Sequence, residues 1–191
     1  MMEKKVFSAT DDLVLSWRQL LLPIGAMAAV IILSNVLVQF VINDWLTWGA
    51  FSYPLVFLVT DLTNRAIGSR NARRVVFVGF AVAVVVSLYL APWRIAVASG
   101  AAFIFSQLMD ILVFNRWRQA SWWKAPFFGS TVATVVDTLV FFSIAFAGTH
   151  MNWFMLAAGD MSVKWLMAVM LLAPYKVLLP YLFSYYKRAF N

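Results

Sequence analysis

The chain has 191 residues, of which 63% are hydrophobic and only 12% charged; soluble domains carry roughly 25% charged residues. It cannot cover itself with polar surface, so it is expected to be a single integral membrane domain over residues 1–191. With no cysteine, disulfides, thiolate metal sites and cysteine nucleophiles are excluded.

The first stretch, "MMEKKVFSATDDLVLSWRQ", is polar and mixed in charge. It lacks an apolar region followed by a small-residue cleavage site, so it is not expected to be a signal peptide. A bilayer core takes about 20 mostly apolar residues per helix. Stretches of that kind follow at roughly 20–42, 48–67, 75–93, 95–114, 126–148 and 155–177. Trp17, Trp45, Trp48, Trp93, Trp117, Trp122, Trp123 and Trp153 stand near their ends, as an interfacial belt would require. The last stretch is longer than one span needs. Pro174 and Pro180 should bend or break it, leaving a membrane helix to about Tyr175 and then a kinked or interfacial tail. The expected fold is all-α, a polytopic bundle of six transmembrane helices.

The basic residues orient that bundle. With the N-terminus inside, Lys4, Lys5, Arg18, Arg65, Arg70, Arg73, Arg74, Arg116, Arg118, Lys124, Lys187 and Arg188 fall on the cytoplasmic side and Arg94 alone outside. Lys164 and Lys176 lie in or near the last span. This is the positive-inside pattern, and it places both termini in the cytoplasm. It also accounts for the formal net charge of +7 as orientation signal and lipid-headgroup contact, so the expected partner is the lipid bilayer and not nucleic acid.

Four carboxylates stand where the bilayer should be: Asp61, Asp110, Asp137 and Asp160. An aspartate at a helix centre costs about 2.5–3.5 kcal/mol on insertion, so such groups face a bundle interior or a water-filled cavity. Helical spacing groups polar neighbours with them. Asn35 and Gln39 share a side of the first span, and Ser106, Gln107 and Asp110 a side of the fourth. Ser130, Thr134 and Asp137 form a stripe on the fifth, and Asp160 and Lys164 are spaced to pair on the sixth. The third span is nearly bare and is expected to face lipid or pack against neighbours. Ser34, Ser87, Ser99 and Ser143 read as helix-joining hydroxyls. Arg65 follows Asp61 by one turn, where it either neutralises that carboxylate or gates the inner mouth, and Arg116 is the candidate to neutralise Asp110 near the interface. Asp137 has no basic residue near it in sequence and is the strongest single candidate for a working group.

Much chemistry is absent. There is no HExxH, and His150 is the lone histidine, expected at the surface of an outer loop, so no metal ligand set is expected and a serine–histidine catalytic site is a weak reading. No GxxxxGK[ST] loop is present. No catalytic residue and no cofactor is assigned. What remains is a binding cavity inside the bundle, for a small polar or planar ligand.

The segments "TWGAFSYPLVFLVTDLTNRAIGSRNARRVVF", "SQLMDILVFNRWRQASWWKAPFFGST", "VDTLVFFSIAF" and "DMSVK" resemble the queuosine precursor transporters of the vitamin-uptake transporter family, and the resemblance runs from about Trp17 to the last span. It implies a six-helix bacterial inner-membrane protein that imports 7-deazaguanine precursors, chiefly the cyano and aminomethyl forms. The sequence departs from the family pattern at Asn64, so Asn64 is not carried over as a ligand. Such a substrate suits the polar set. The ring N–H and exocyclic amine of a 7-deazaguanine present adjacent donors that a carboxylate accepts. The carbonyl takes a donor such as Lys164, Gln107 or Asn35, and the flat ring takes an aromatic platform. Candidate substrate residues are Asn35, Gln39, Asp61, Gln107, Asp110, Ser130, Asp137, Asp160 and Lys164, with Arg65 as cation or gate. Asp137 or Asp110 is expected on the guanine edge, and Asp160–Lys164 as the pair beside it. A secondary transporter, with an in-membrane aspartate as the group for proton coupling, is the leading reading. The runner-up is the substrate-binding subunit of an energy-coupling factor transporter, suggested by the small pair Gly25 and Ala29 in the first span. An intramembrane hydrolase and a purely structural bundle come behind; the latter leaves the four aspartates unexplained. The small size also suits a homodimer.

Overall fold

The structure, a computed structural model, describes residues 14–43, 46–150 and 153–189. The expectations for Lys4, Lys5 and Trp45 fall outside them. It is helical, with helices α1 (Leu21–Leu37), α2 (Gly49–Ser52), α3 (Leu55–Ile67), α4 (Ser69–Leu90), α5 (Trp93–Trp117), α6 (Lys124–Phe146), α7 (Trp153–Met170) and α8 (Leu172–Ala189). Three of them, α4, α5 and α6, are long and apolar enough to cross a bilayer, and the bent pair α7–α8 makes a fourth if it is one span. At 17 residues α1 is shorter.

The expected span boundaries hold best for these three helices and change elsewhere for identifiable reasons. The first span stops at Leu37 rather than 42. The run Val38-Gln39-Phe40-Val41-Ile42, rich in β-branched and aromatic residues, favours extended backbone, and the chain instead forms a small antiparallel hairpin, β1 (Val41–Asn43) with β2 (Leu46–Thr47). The second span is not continuous. Pro54 has no N–H for the carbonyl four residues back, and its ring crowds that turn, so helix α2 ends and α3 begins on either side of Tyr53–Pro54. Gly68 then ends α3, as its position in sequence suggests, with φ 85° and ψ 163° that only glycine tolerates cheaply. The last span breaks earlier than its prolines first imply. Pro174 clashes with the carbonyl of Met170, so the break is at Leu171 with a bend of 47°. The chain beyond this kink is a helix that runs through Pro180 to Ala189.

Helices in lipid gain nothing from hiding apolar side chains from tails that are equally apolar; close packing of small residues takes over. The α5–α6 pair is the most extensive contact, and Ala96, Ala98, Gly100, Ala125, Ala133 and Ala145 are buried along these two helices. A further core joins Met27 and Ile31 of α1 to Val56, Val75, Val76 and Phe103. Large apolar side chains such as Leu21, Phe77, Leu88, Phe105, Leu139 and Leu166 point outward, an arrangement suited to hydrocarbon and not to water. Trp17, Trp48, Trp93, Trp117, Trp122 and Trp123 are exposed near helix ends, where interfacial tryptophans belong. Helix α4 is the least buried of the three long spans, in line with its bare sequence. Its Ser87 nevertheless donates to Asn35 of α1 at 3.2 Å, a helix-joining bond of the expected kind. Ser143 departs from that expectation and faces outward.

Candidate functional site

A cavity of about 410 Å³ opens among α1, the hairpin, α2, α4, α5, α6 and α7. It reaches the end of the bundle that carries the hairpin and the α4–α5 turn, with Thr47, Ala91, Ile95 and Phe146 in its wall. The arginine-rich connections around Gly68 and residues 118–123 lie at the opposite end. Phe103, Phe141, Phe142 and Phe146 give it aromatic faces.

The polar floor of the cavity is built by three helices and the Tyr53–Pro54 break. Lys164 of α7 places Nζ 2.8 Å from Asp137 Oδ2 on α6 and 2.5 Å from Asp160 Oδ2 one turn earlier on its own helix. The Asp160–Lys164 pairing matches the spacing seen in sequence. The Asp137 contact could not be read there, because its cation arrives from another helix. Tyr53 donates to Asp137 Oδ1 at 3.0 Å, Ser106 donates to the same oxygen at 3.2 Å, and Thr138 donates to Asp160 Oδ2 at 3.0 Å. The lysine ammonium also lies 5.2 Å from the centre of the Tyr53 ring, over its face, a favourable site for a cation. One cation against two carboxylates leaves the floor with a formal charge of −1. An ammonium has three N–H donors; two are engaged by carboxylates, and Asp160, with 19% of its side chain exposed, is the carboxylate that faces the space.

The other candidates divide. Asn35 lines the cavity, its amide nitrogen bound to Ile31 O and its oxygen to Ser87. Gln39 does not; it is exposed and turns back to Asn35 O at 3.3 Å. Asp61, Gln107, Asp110 and Ser130 are all buried yet stand outside the cavity wall, nearer the arginine-rich end. There the carboxyl groups of Asp61 and Asp110 meet. Ser130 donates to Asp61 Oδ2 at 3.3 Å, and the Thr60 hydroxyl donates to Gln107 Oε1. Asp110 rests against Gly129, where a Cβ would come within 2.6 Å of its Oδ1. His150 is exposed, as expected.

Arg65 does not pair with Asp61. Its guanidinium donates to Tyr175 Oη at 3.0 Å and to the carbonyl of Arg118 at 2.8 Å while lying over the Phe114 ring, and its buried Nη2 has no partner. Arg118 in turn donates to Asn64 Oδ1 at 3.1 Å, Asn64 O at 2.8 Å and Asn115 Oδ1 at 3.3 Å. Arg116, the sequence partner proposed for Asp110, is exposed and elsewhere. The two buried arginines thus close the end of the bundle beyond the carboxyl pair: Arg118 binds the C-terminal turn of α3, and Arg65, on that turn, binds Tyr175 of α8 and the Arg118 carbonyl. Sequence reasoning missed Tyr53 and Arg118. The proline after Tyr53 was a signal that its backbone leaves the helix; Arg118 carried none, being one basic residue in a basic loop.

Comparison with known proteins points to one family. The family described as "Putative vitamin uptake transporter" matches residues 47–178. The queuosine precursor transporter of Escherichia coli is 38% identical, over 78% of this chain and 81% of its own. A protein of Haemophilus influenzae described as a probable queuosine precursor transporter is also 38% identical, over 67% of this chain; the chain spans 66% of that relative. A Bacillus subtilis protein with the same description is 26% identical over 54% of this chain. No solved structure matches. A match over most of the chain, two relatives at this identity and several apolar helices around a polar cavity together make the chain a multi-pass bacterial membrane protein that belongs to the vitamin uptake transporter family.

Proposed function

We propose that this chain imports queuosine precursors across the inner membrane as a secondary transporter, taking 7-cyano- and 7-aminomethyl-7-deazaguanine into the aromatic cavity. The observation that carries the reading is the Asp137–Lys164–Asp160 triad on the floor of that cavity. The partly exposed Asp160 accepts the ring N–H and exocyclic amine of the base, as acidic side chains accept exposed base donors. The third N–H of Lys164 meets the ring carbonyl, and phenylalanine faces stack on the ring. Asp137, already holding Lys164, Tyr53 and Ser106, positions the cation rather than touching the base. The relatives' descriptions name the same substrate class, and the cavity volume lies within the usual range for small ligands, roughly 300–1,000 Å³.

The helices fit six crossings, with α2–α3 and α7–α8 each counted as one broken span. Discontinuous helices at mid-membrane are where secondary transporters build their sites. The positive-inside rule puts the arginine-rich end and both termini in the cytoplasm, so the cavity communicates with the outer face and the Arg65–Arg118 closure is the inner gate.

Purified protein should bind 7-aminomethyl-7-deazaguanine by calorimetry, lose at least tenfold in affinity as Asp160→Asn, and take up the compound when it is the sole protein in liposomes. Absence of binding, or unchanged affinity in Asp160→Asn and Lys164→Met alike, would sink the assignment. The energy-coupling factor reading is favoured by one feature: Gly25 and Ala29 of α1 are exposed and nothing packs on Gly25, leaving a face for a partner helix. Substrate binding without uptake by the chain alone would select that reading.

A further inference from the structure

The substrate reading leaves unused the deepest carboxyls in the molecule. Asp61 and Asp110 are 2% and 0% exposed. Adjacent residues of α6 hold their carboxyl groups side by side, Gly129 lying against Asp110 and Ser130 donating to Asp61, and among the described residues neither makes an ion pair with a lysine or arginine. Ser130 satisfies one oxygen of Asp61. The other Asp61 oxygen and both of Asp110 find no donor in the protein. The charged groups on the elements packed around α3 are accounted for. Helix α1 has none, and α4 has Arg70, Arg73 and Arg74 only in its opening turns. Helix α8 brings Tyr175, bound to Arg65, with Lys176 beside it and Lys187 and Arg188 in its last turn; α5 has Arg94, bound to carbonyls at the end of α6, and the exposed Arg116. Arg65 itself is turned to Arg118 and Tyr175. Helix α6 has Lys124 at its first residue and Asp137, which belongs to the cavity triad.

Two carboxylates cannot both stay ionised in contact and out of water. One proton between them removes the repulsion and replaces it with a charge-assisted O–H···O hydrogen bond. A metal ion is the alternative remedy, but among the described residues no group of three or more metal-binding side chains exists. A separate observation points to a moving proton. Gln107 is wholly buried; its oxygen is held by Thr60, while its amide nitrogen has no partner. It lies one helical turn before Asp110 on the same face, so a donor stands ready for the Asp110 carboxylate when the shared proton leaves. Polar residues of α5 also run from the cavity towards the pair: Ser106 donates to Asp137, Gln107 follows it in sequence and is bound to Thr60 of α3, and Asp110 is one turn on. Beyond the pair stand only the arginines of the closed end.

We infer that Asp61 and Asp110 form a proton-binding site, loaded from the cavity and emptied toward the arginine-rich end, that couples a proton gradient to substrate movement. One proton enters and one leaves per cycle, and no bond of the substrate changes. The coupling rests on the transport reading above; the existence of the site does not.

Infrared spectroscopy of the full chain in lipid nanodiscs tests the site without substrate. At neutral pH the protein should show a protonated-carboxyl stretch that shifts in D₂O. It should shift or disappear in Asp61→Asn and in Asp110→Asn and stay unchanged in Asp160→Asn. A wild-type protein without the band, or a band unchanged in both pair variants, overturns the site, and the wild-type measurement decides even if a variant fails to fold. In proteoliposomes, Asp110→Asn should exchange 7-aminomethyl-7-deazaguanine within twofold of wild type yet lose at least tenfold in accumulation driven by a pH gradient. Accumulation retained in that variant, or wild-type accumulation that follows sodium instead of pH, overturns the coupling. A wild-type chain that neither binds nor exchanges the precursor refutes the substrate reading instead, and the infrared band still decides the proton site.

Discussion

Lys164→Met removes one charge from the cavity floor while keeping an unbranched apolar stem. In the native protein the ammonium touches Asp137 at 2.8 Å and Asp160 at 2.5 Å, and Lys164 is only 6% exposed. Its loss leaves two carboxylates facing one another with no cation. Breaking a buried ion pair from one side costs about 3–5 kcal/mol. Asp137 retains Tyr53 and Ser106 as donors, and hydrogen bonds to a charged group are worth about 1.5–3 kcal/mol. The expected loss therefore lies near the lower end, about 3 kcal/mol. Adding Asp137→Asn to Lys164→Met removes the second uncompensated charge and leaves Asp160, which has Thr138 as donor and partial exposure. The double variant should recover at least ~1 kcal/mol of the single variant's loss, as expected for residues in one network. Reversible unfolding in mixed micelles at increasing denaturing-detergent fraction measures both. A single variant within ~0.5 kcal/mol of wild type, the range of an ordinary surface change, would refute the triad as a structural unit. So would a double variant less stable than the single.

Gly129→Ala puts a methyl group 2.6 Å from Asp110 Oδ1 and 3.4 Å from its carbonyl oxygen, so the carboxyl must move; the same unfolding assay should show a loss of about 1–3 kcal/mol, typical of overpacking, and no loss would mean the Asp110 side chain is not held there. Arg118→Ala removes the donors to Asn64 and Asn115 and should open the arginine-rich end. The chain has no cysteine, so a single Thr63→Cys reporter, buried at 2% exposure, should react with a membrane-impermeant maleimide at least tenfold faster in the Arg118→Ala background; an equal rate would count against the gate.

The long helices and the membrane-exposed surface were legible in sequence because each rests on a local property. Apolar length marks α4, α5 and α6, Pro54, Gly68, Pro92 and Pro174 mark the breaks near them, and four-residue spacing paired Asp160 with Lys164. What escaped depends on meetings between distant segments. Asp137 looked cation-free because Lys164 reaches it from another helix. Arg65 looked like the partner of Asp61 because the two are one turn apart, yet its planar fork finds a better set of acceptors in Tyr175 and the Arg118 carbonyl. Asp61 and Asp110 are 49 positions apart in sequence, and no periodicity within either helix announces that they touch. Treating every in-membrane polar group as one site merged two centres that the fold keeps apart, one open to the cavity and one sealed behind it.

Helix α6 touches both centres. Gly129 and Ser130 lie against Asp110 and Asp61, while Asp137 and Thr138, two turns on, hold Lys164 and Asp160. Along the axis the two sets are about 10 Å apart. Within this length a helix behaves as a stiff rod, so a small slide or roll of α6 cannot disturb one set of contacts and spare the other. The two centres need no wire of side chains to sense each other: they ride on the same shaft, like two cams cut on a single axle.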